Sequence, residues 1–133
     1  MNNEDNCKTI DMHCDTLMRA YFRDKDDLFT CPELDLDISR MIESGMMAQF
    51  FAIFVPSEKE YARYKKEYKG DDEYIDKCAS IFNHTIQKHA DVLAKATSAK
   101  DILDNYASHK VSAILTMEDG VAVQGDMKKL DYF

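Results

Sequence analysis

Asp11, His13 and Asp15 stand at i, i+2 and i+4. On an extended strand, where successive side chains point to opposite faces, that spacing directs all three to one side. Two carboxylates and an imidazole on a buried face would each lose much of their hydration, so they call for a cation, a salt-bridge partner, or a place at the exposed end of the strand. A fourth group, Glu118, directly follows the largely apolar run Val111 to Met117 and would also stand at a strand's C-terminal end. In parallel α/β proteins functional groups gather at that edge. One imidazole and two carboxylates suit a dication such as Zn²⁺, and the two oxygens of a glutamate can bridge a pair of ions. By spacing alone, Glu118 serves equally well as the start of a solvated loop.

The other chemistry-bearing residues are less suggestive. His84 and His89 are five residues apart, about 140° around a helix, and do not converge on one ion. His89 falls on an apolar stripe and reads as a hydrogen-bonded, half-buried side chain. His109 precedes the last strand at the opposite edge, where stability is the usual role. Cys7, Cys14, Cys31 and Cys78 contain no Cys-x-x-Cys pair, which excludes a zinc knuckle or a thioredoxin-like motif and leaves reduced thiols as the expectation.

The elements that would position these residues alternate in type. A strand is expected over about Cys7 to Asp15, then a polar loop over residues 24–35. Leu36, Ile38, Met41 and Ile42 have near-helical spacing, with Gly45 as the stop. Met46 to Val55 is apolar without clean alternation, as a strand covered on both faces would be. Ser57 and Glu60 have capping-box spacing, predicting a helix that runs to Lys69. Tyr74, Ile75, Cys78, Ile81, Phe82, Ile86, His89 and Leu93 mark one face of a further helix, the strongest periodicity in the chain. Ser98 and Asp101 open another, with Ile102, Leu103 and Tyr106 as its buried stripe. Val111 to Met117 is the last strand, and a helix is expected from near Asp126. The pattern is α/β: a three-stranded βαβαβ segment with right-handed crossovers, one domain over residues 1–133. The last helical pattern is barely two turns long at Phe133, so the domain is expected to be part of a larger one.

Composition narrows the partners. Seventeen basic against 25 acidic residues give a net charge of −8, which opposes binding to nucleic acid or anionic lipid. The longest apolar stretch has ten residues, against the roughly 20 that a membrane-spanning helix needs. The polar, acidic N-terminus lacks a secretory pattern, so a cytoplasmic protein is expected. Exposed sheet edges make a homo-oligomer a further expectation.

Ile10-Asp11-Met12-His13-Cys14-Asp15-Thr16-Leu17 resembles the D-x-H-x-D motif of the membrane (renal) dipeptidase family of zinc peptidases. Asp37-Ile38-Ser39-Arg40 through Gly45-Met46-Met47-Ala48-Gln49-Phe50-Phe51 and on to Val55 is similar to that family's D-x-x-R…GG-x-x-A-Q-F unit. Val111 to Gly120 resembles its E-G-G strand. The resemblance implies a (β/α)₈ barrel of the TIM type, with two Zn²⁺ ions that hydrolyse dipeptides through a metal-bridging hydroxide. It implies that His13 and Asp15 ligate one zinc, that Glu118 bridges both, and that Asp11 orients His13 through its other ring nitrogen or a backbone contact.

The sequence departs from the family pattern at Asp119-Gly120 and Ser44-Gly45, each in place of Gly-Gly. A complete barrel takes roughly 250 residues, and the family's two later His ligands, further substrate-binding His and Arg, and later active-site Asp have no counterparts here. The expectation is the N-terminal part of a metallo-dipeptidase, inactive by itself, with a dipeptide as the substrate of the whole. The alternative is a stand-alone, non-catalytic α/β module that keeps the strand-end carboxylates as a remnant. The donor set itself fits Zn²⁺, Mn²⁺ or Fe²⁺.

Overall fold

The computed structural model describes residues 8–132; Cys7 lies outside them. In chain order the elements are β1 (Ile10–Cys14), α1 (Thr16–Phe22), α2 (Ile38–Glu43), β2 (Ala48–Ile53), α3 (Glu58–Tyr64), α4 (Asp71–Lys88), β3 (Leu93–Lys95), α5 (Ala99–Ala107), β4 (Val111–Met117), a 3₁₀ turn (Val121–Val123) and α6 (Met127–Tyr132). The strands form one parallel sheet in the order β1-β2-β4-β3.

β2 is the sheet's spine. Five of its six residues are buried, which is why its sequence runs apolar without alternating. Phe51 and Ile53 join the core with Leu17, Ala20, Tyr21 and Phe22 of α1 and the stripe Tyr74, Ile75, Cys78, Ile81 and Phe82 of α4. The Phe51 and Phe82 rings meet edge to face at 5.6 Å. Each such apolar side chain contributes about 1.5–3 kcal/mol by leaving water.

Five of the sequence expectations need correction. The α4 stripe does not reach Leu93: the helix ends at Lys88, the amides of Val92 and Leu93 both turn back to the His89 carbonyl, and Leu93 opens β3. The sheet therefore has four strands rather than three, the extra one being too short to leave a pattern of its own. α3 stops at Tyr64 instead of Lys69, because Lys65 adopts a left-handed conformation (φ 53°) that breaks the ladder. Its Ser57 hydroxyl donates to the Glu60 carboxylate rather than capping the backbone, whereas Ser98 and Asp101 form the complete capping box. Finally, α5 buries no residue and leaves Leu103 61% exposed. It touches the sheet through Asn105, which donates to the Ser112 hydroxyl at the start of β4.

The loop between α1 and α2 is pinned from three directions. The Leu28 amide donates to the buried Thr85 hydroxyl of α4, which in turn donates to the Ile81 carbonyl. Asp27 accepts at the His89 ring nitrogen at 3.0–3.1 Å, and that ring stacks on Phe29 at 4.1 Å. His89 is thus half-buried and hydrogen-bonded as expected, but just beyond the helix. Asp37 caps α2 by accepting from the Arg40 amide and also accepts from the Cys31 amide and the Ser39 hydroxyl. The Arg40 guanidinium lies 3.1 Å from it. Among the described residues, no helix is long and apolar enough to cross a membrane.

Burial alone would raise the Asp37 carboxyl, but Arg40 and these donors outweigh it and hold the group at about 2, against an ordinary 3.8. Its contribution is complete above the ordinary value and is lost as pH falls from there toward 2. Asp37→Asn is expected to lower unfolding stability at neutral pH by about 2 kcal/mol. In urea titrations that deficit should shrink between pH 4 and pH 2; a deficit constant across this range would contradict the assignment.

Candidate metal centre

The C-terminal ends of β1 and β4 stand on either side of β2. β2 and β4 pair in unbroken register from Ala48↔Ser112 to Ile53↔Met117. The Glu118 amide continues the ladder by donating to the Ile53 carbonyl at 2.9 Å, so the Glu118 backbone is fixed by the sheet. The chain then turns: Asp119 takes a left-handed conformation (φ 58°) and its carboxylate accepts from the Val121 amide. Aspartate is among the few non-glycine residues that tolerate this geometry, so Asp119 fits where the resembled pattern has glycine.

β1 is less regular. Asp11 pairs with Gln49, but Cys14 pairs with Phe51, so β1 spends one residue more than β2 between the two pairs. Such bulges re-aim side chains, and this one spans Met12 and His13. It is held from two sides. The Asp11 carboxylate accepts from the His13 amide at 3.2 Å, and the buried Gln49 side chain donates to the Asp11 carbonyl at 3.4 Å and to the Phe50 carbonyl at 3.0 Å.

The outcome is a cluster of three. His13 Nε2 lies 3.5 Å from an Asp15 oxygen and 3.5 Å from a Glu118 oxygen, and one ligand atom from each residue lies within 4.8 Å of the others. Asp15 precedes α1 but makes no side-chain cap bond, which leaves its carboxylate free to face His13. Asp11 does not join the cluster, so the shared face expected from spacing holds for His13 and Asp15 only; its contact with His13 is to the backbone. The three side chains are 43–52% exposed, and 3.5 Å is too long for a strong hydrogen bond. It is, however, close to the edge of a tetrahedron built on metal–ligand bonds of about 2.1 Å, roughly 3.4 Å. With both carboxylates at that distance from the imidazole nitrogen and all three ligand atoms within 4.8 Å of one another, the group could hold a divalent cation.

The remaining candidates stay apart. His89 is committed to Asp27, and His109 lies in the α5–β4 loop at the other edge of the sheet. Burial pushes the Cys14 thiol up, and Cys14 packs against the core. Cys14, Cys31 and Cys78 are free thiols. The sequence places Gln49 in the A-Q-F unit and as an amide inside an otherwise apolar strand, but neither signal reveals its supporting contact with Asp11.

A parallel sheet that gathers an imidazole and two carboxylates at its strand C-termini defines an α/β protein with a candidate metal site at that edge. The chain belongs to the membrane dipeptidase family, peptidase family M19, whose family model matches residues 4–133. Among solved structures it is similar to the metallopeptidase dipeptidase AC of family M19, with a TM-score of 0.63 and 22% identity over 94% of this chain and 41% of that one. It is also similar to a metallopeptidase from Rhodobacter sphaeroides liganded with a phosphinate mimic of the dipeptide L-Ala-D-Ala, with a TM-score of 0.63 and 21% identity over 94% and 42%. What is shared at this identity is the fold, of which this chain carries the N-terminal part of a (β/α)₈ barrel. It spans about two-fifths of the length of those structures. Comparison with curated proteins gives no match.

The cluster contributes little to holding the fold together, since its members are half-exposed and meet only at 3.5 Å. Asp15→Asn and Glu118→Gln should each change metal-free unfolding stability by less than about 0.5 kcal/mol. A loss of 2 kcal/mol or more in chemical denaturation would make the cluster structural.

Proposed function

We propose that this chain supplies the N-terminal share of a binuclear zinc dipeptidase centre, with His13, Asp15 and Glu118 as its metal ligands. The observation that carries the reading is their convergence at the C-terminal edge of a parallel sheet in a chain of the M19 family. Bound divalent ions would supply Lewis-acid polarisation of a peptide carbonyl and a water acidified into the neutral range.

The residues of the chain have definable tasks. His13 offers Nε2, with its backbone held by the Asp11 carboxylate. Asp15 and Glu118 bring two negative charges that offset a dication, and Glu118 has a second oxygen to share with a neighbouring ion. Asp11 is a positioning residue that acts through His13, as supporting partners of metal ligands do. Attack on a peptide bond is proposed to fall to water activated by the bound ions. A dipeptide is the proposed substrate of the complete protein, in keeping with the dipeptide mimic held by the Rhodobacter sphaeroides structure. Three ligands are fewer than two ions require, and the other donors are proposed to lie in the part of the barrel beyond this chain.

Zn²⁺ should raise the melting temperature of the chain by mass action. His13→Ala and Glu118→Ala should abolish the rise. Asp11→Ala should weaken Zn²⁺ binding about 10- to 100-fold while leaving the metal-free melting temperature nearly unchanged. Equal Zn²⁺ binding by wild type and a His13→Ala/Glu118→Ala double variant, measured calorimetrically, would overturn the assignment.

The zinc-loaded 133-residue chain should show no steady dipeptide hydrolysis. Turnover that Glu118→Ala abolishes would instead place a complete site within these residues.

A further inference from the structure

At the same edge of the sheet as the candidate metal cluster lies a concavity of about 360 Å³. Its walls are Phe54, Tyr61, Tyr68 and Val121, and Glu58 and Asp71 stand with them. Its position ties it to the cluster. Phe54 follows Ile53, whose carbonyl receives the Glu118 amide, and Val121 is anchored through its amide to Asp119, the residue after Glu118.

The lining has a definite chemistry. The Tyr61 and Tyr68 rings meet edge to face at 5.2 Å. The Tyr68 hydroxyl donates to the Asp71 carboxylate at 3.0 Å, which fixes both groups at the mouth. Tyr61 is 4% exposed and its hydroxyl is buried without a hydrogen-bond partner. Burial, ahead of the adjacent Tyr21, pushes that hydroxyl up, so it stays neutral. Among the described residues, no lysine or arginine lines the pocket. Aromatic faces attract cations, and an aliphatic stem ending in an ammonium or guanidinium can lie along such walls with its charge at an acidic mouth.

We propose that this pocket receives a lysine- or arginine-type side chain of the substrate, and so biases the site toward dipeptides with one long cationic residue. The inference rests on the metallo-dipeptidase reading for its substrate class, but not for its recognition chemistry. An acidic side chain would meet Glu58 and Asp71 with like charge, and an apolar one would fill the walls without engaging the mouth.

The test is an NMR titration of the zinc-loaded, isotopically labelled chain with Lys-Ala, Ala-Lys, Leu-Ala and Glu-Ala. One of the lysine dipeptides should shift the Tyr61 and Tyr68 ring signals at about tenfold lower concentration than Glu-Ala. Glu58→Gln/Asp71→Asn should bring lysine and leucine dipeptides level, and Glu58→Lys should favour Glu-Ala. Glu58 is exposed and Asp71 half-buried at the first positions of their helices, and amide-signal dispersion checks that each variant is folded. Equal response to all four peptides, or a lysine preference that survives the double variant, would overturn the proposal. If Zn²⁺ binds through His13 and Glu118 but the preference is absent, the pocket assignment alone falls. If the preference is present in a chain that does not bind Zn²⁺, the metal reading alone falls.

Discussion

The arrangement depends on the parallel pairing of β2 with β4. Six consecutive residue pairs keep register, and a seventh rung, from the Glu118 amide to the Ile53 carbonyl, carries that order one residue past the strand. A backbone ladder resists small displacements because each rung shares its geometry with its neighbours. Glu118 is therefore positioned by the sheet, not by its own side-chain contacts. The opposite side of the cluster is built differently. There β1 departs from regular pairing, and the displaced residue is the histidine that meets Glu118. One ladder supplies a fixed reference, and the other supplies a local adjustment held by Asp11 and Gln49.

Stability and chemistry are divided between different parts of the fold. The α1–α2 loop is fastened by Thr85, His89 and the buried Asp37, which pairs with the half-exposed Arg40 guanidinium. At the strand C-termini the polar groups of the cluster are half-exposed and only loosely engaged with one another. This is the division known from α/β barrels, where one face of the strands carries stability and the other carries function. It leaves the acidic edge free to vary in its loops, such as the α3–α4 segment that brings Tyr68 and Asp71 beside Phe54 and Val121, without unsettling the core.

Much of this was legible in the sequence for identifiable physical reasons. The β2 and β4 strands announce themselves because burial on both faces demands continuous apolar residues, and Ser98 with Asp101 announces a helix start because few other pairs satisfy its first amides. Strand ends tolerate polar groups, which makes His13, Asp15 and Glu118 candidates, but spacing alone leaves Glu118 equally a loop residue, and it is the resemblance to the family's motifs that selects the three. What stayed hidden depends on contacts between distant residues. The break after Tyr64 arises from the backbone of Lys65, a residue that favours helix. β3 has only three residues, and Leu93 continues the α4 periodicity by coincidence of spacing. The α1 helix starts directly from Asp15 with no glycine or proline to mark the change, and the bulge at Met12 and His13 exists only relative to β2.

The strand order has a consequence for how the chain assembles. β4 lies between β2 and β3, and both of those precede it in sequence. Until residues 111–117 are made, β2 has only one neighbour and β3 has none, so two hydrogen-bonding edges wait for the same late segment. The pairing of Ala48 with Ser112 spans roughly sixty residues, a separation that slows closure and prolongs exposure of unpaired strands. When β4 does insert, it joins the sheet and brings Glu118 to His13 in the same event. Cohesion of the sheet and assembly of the acidic cluster thus depend on the same segment, and a chain without it leaves an apolar β2 edge unpaired.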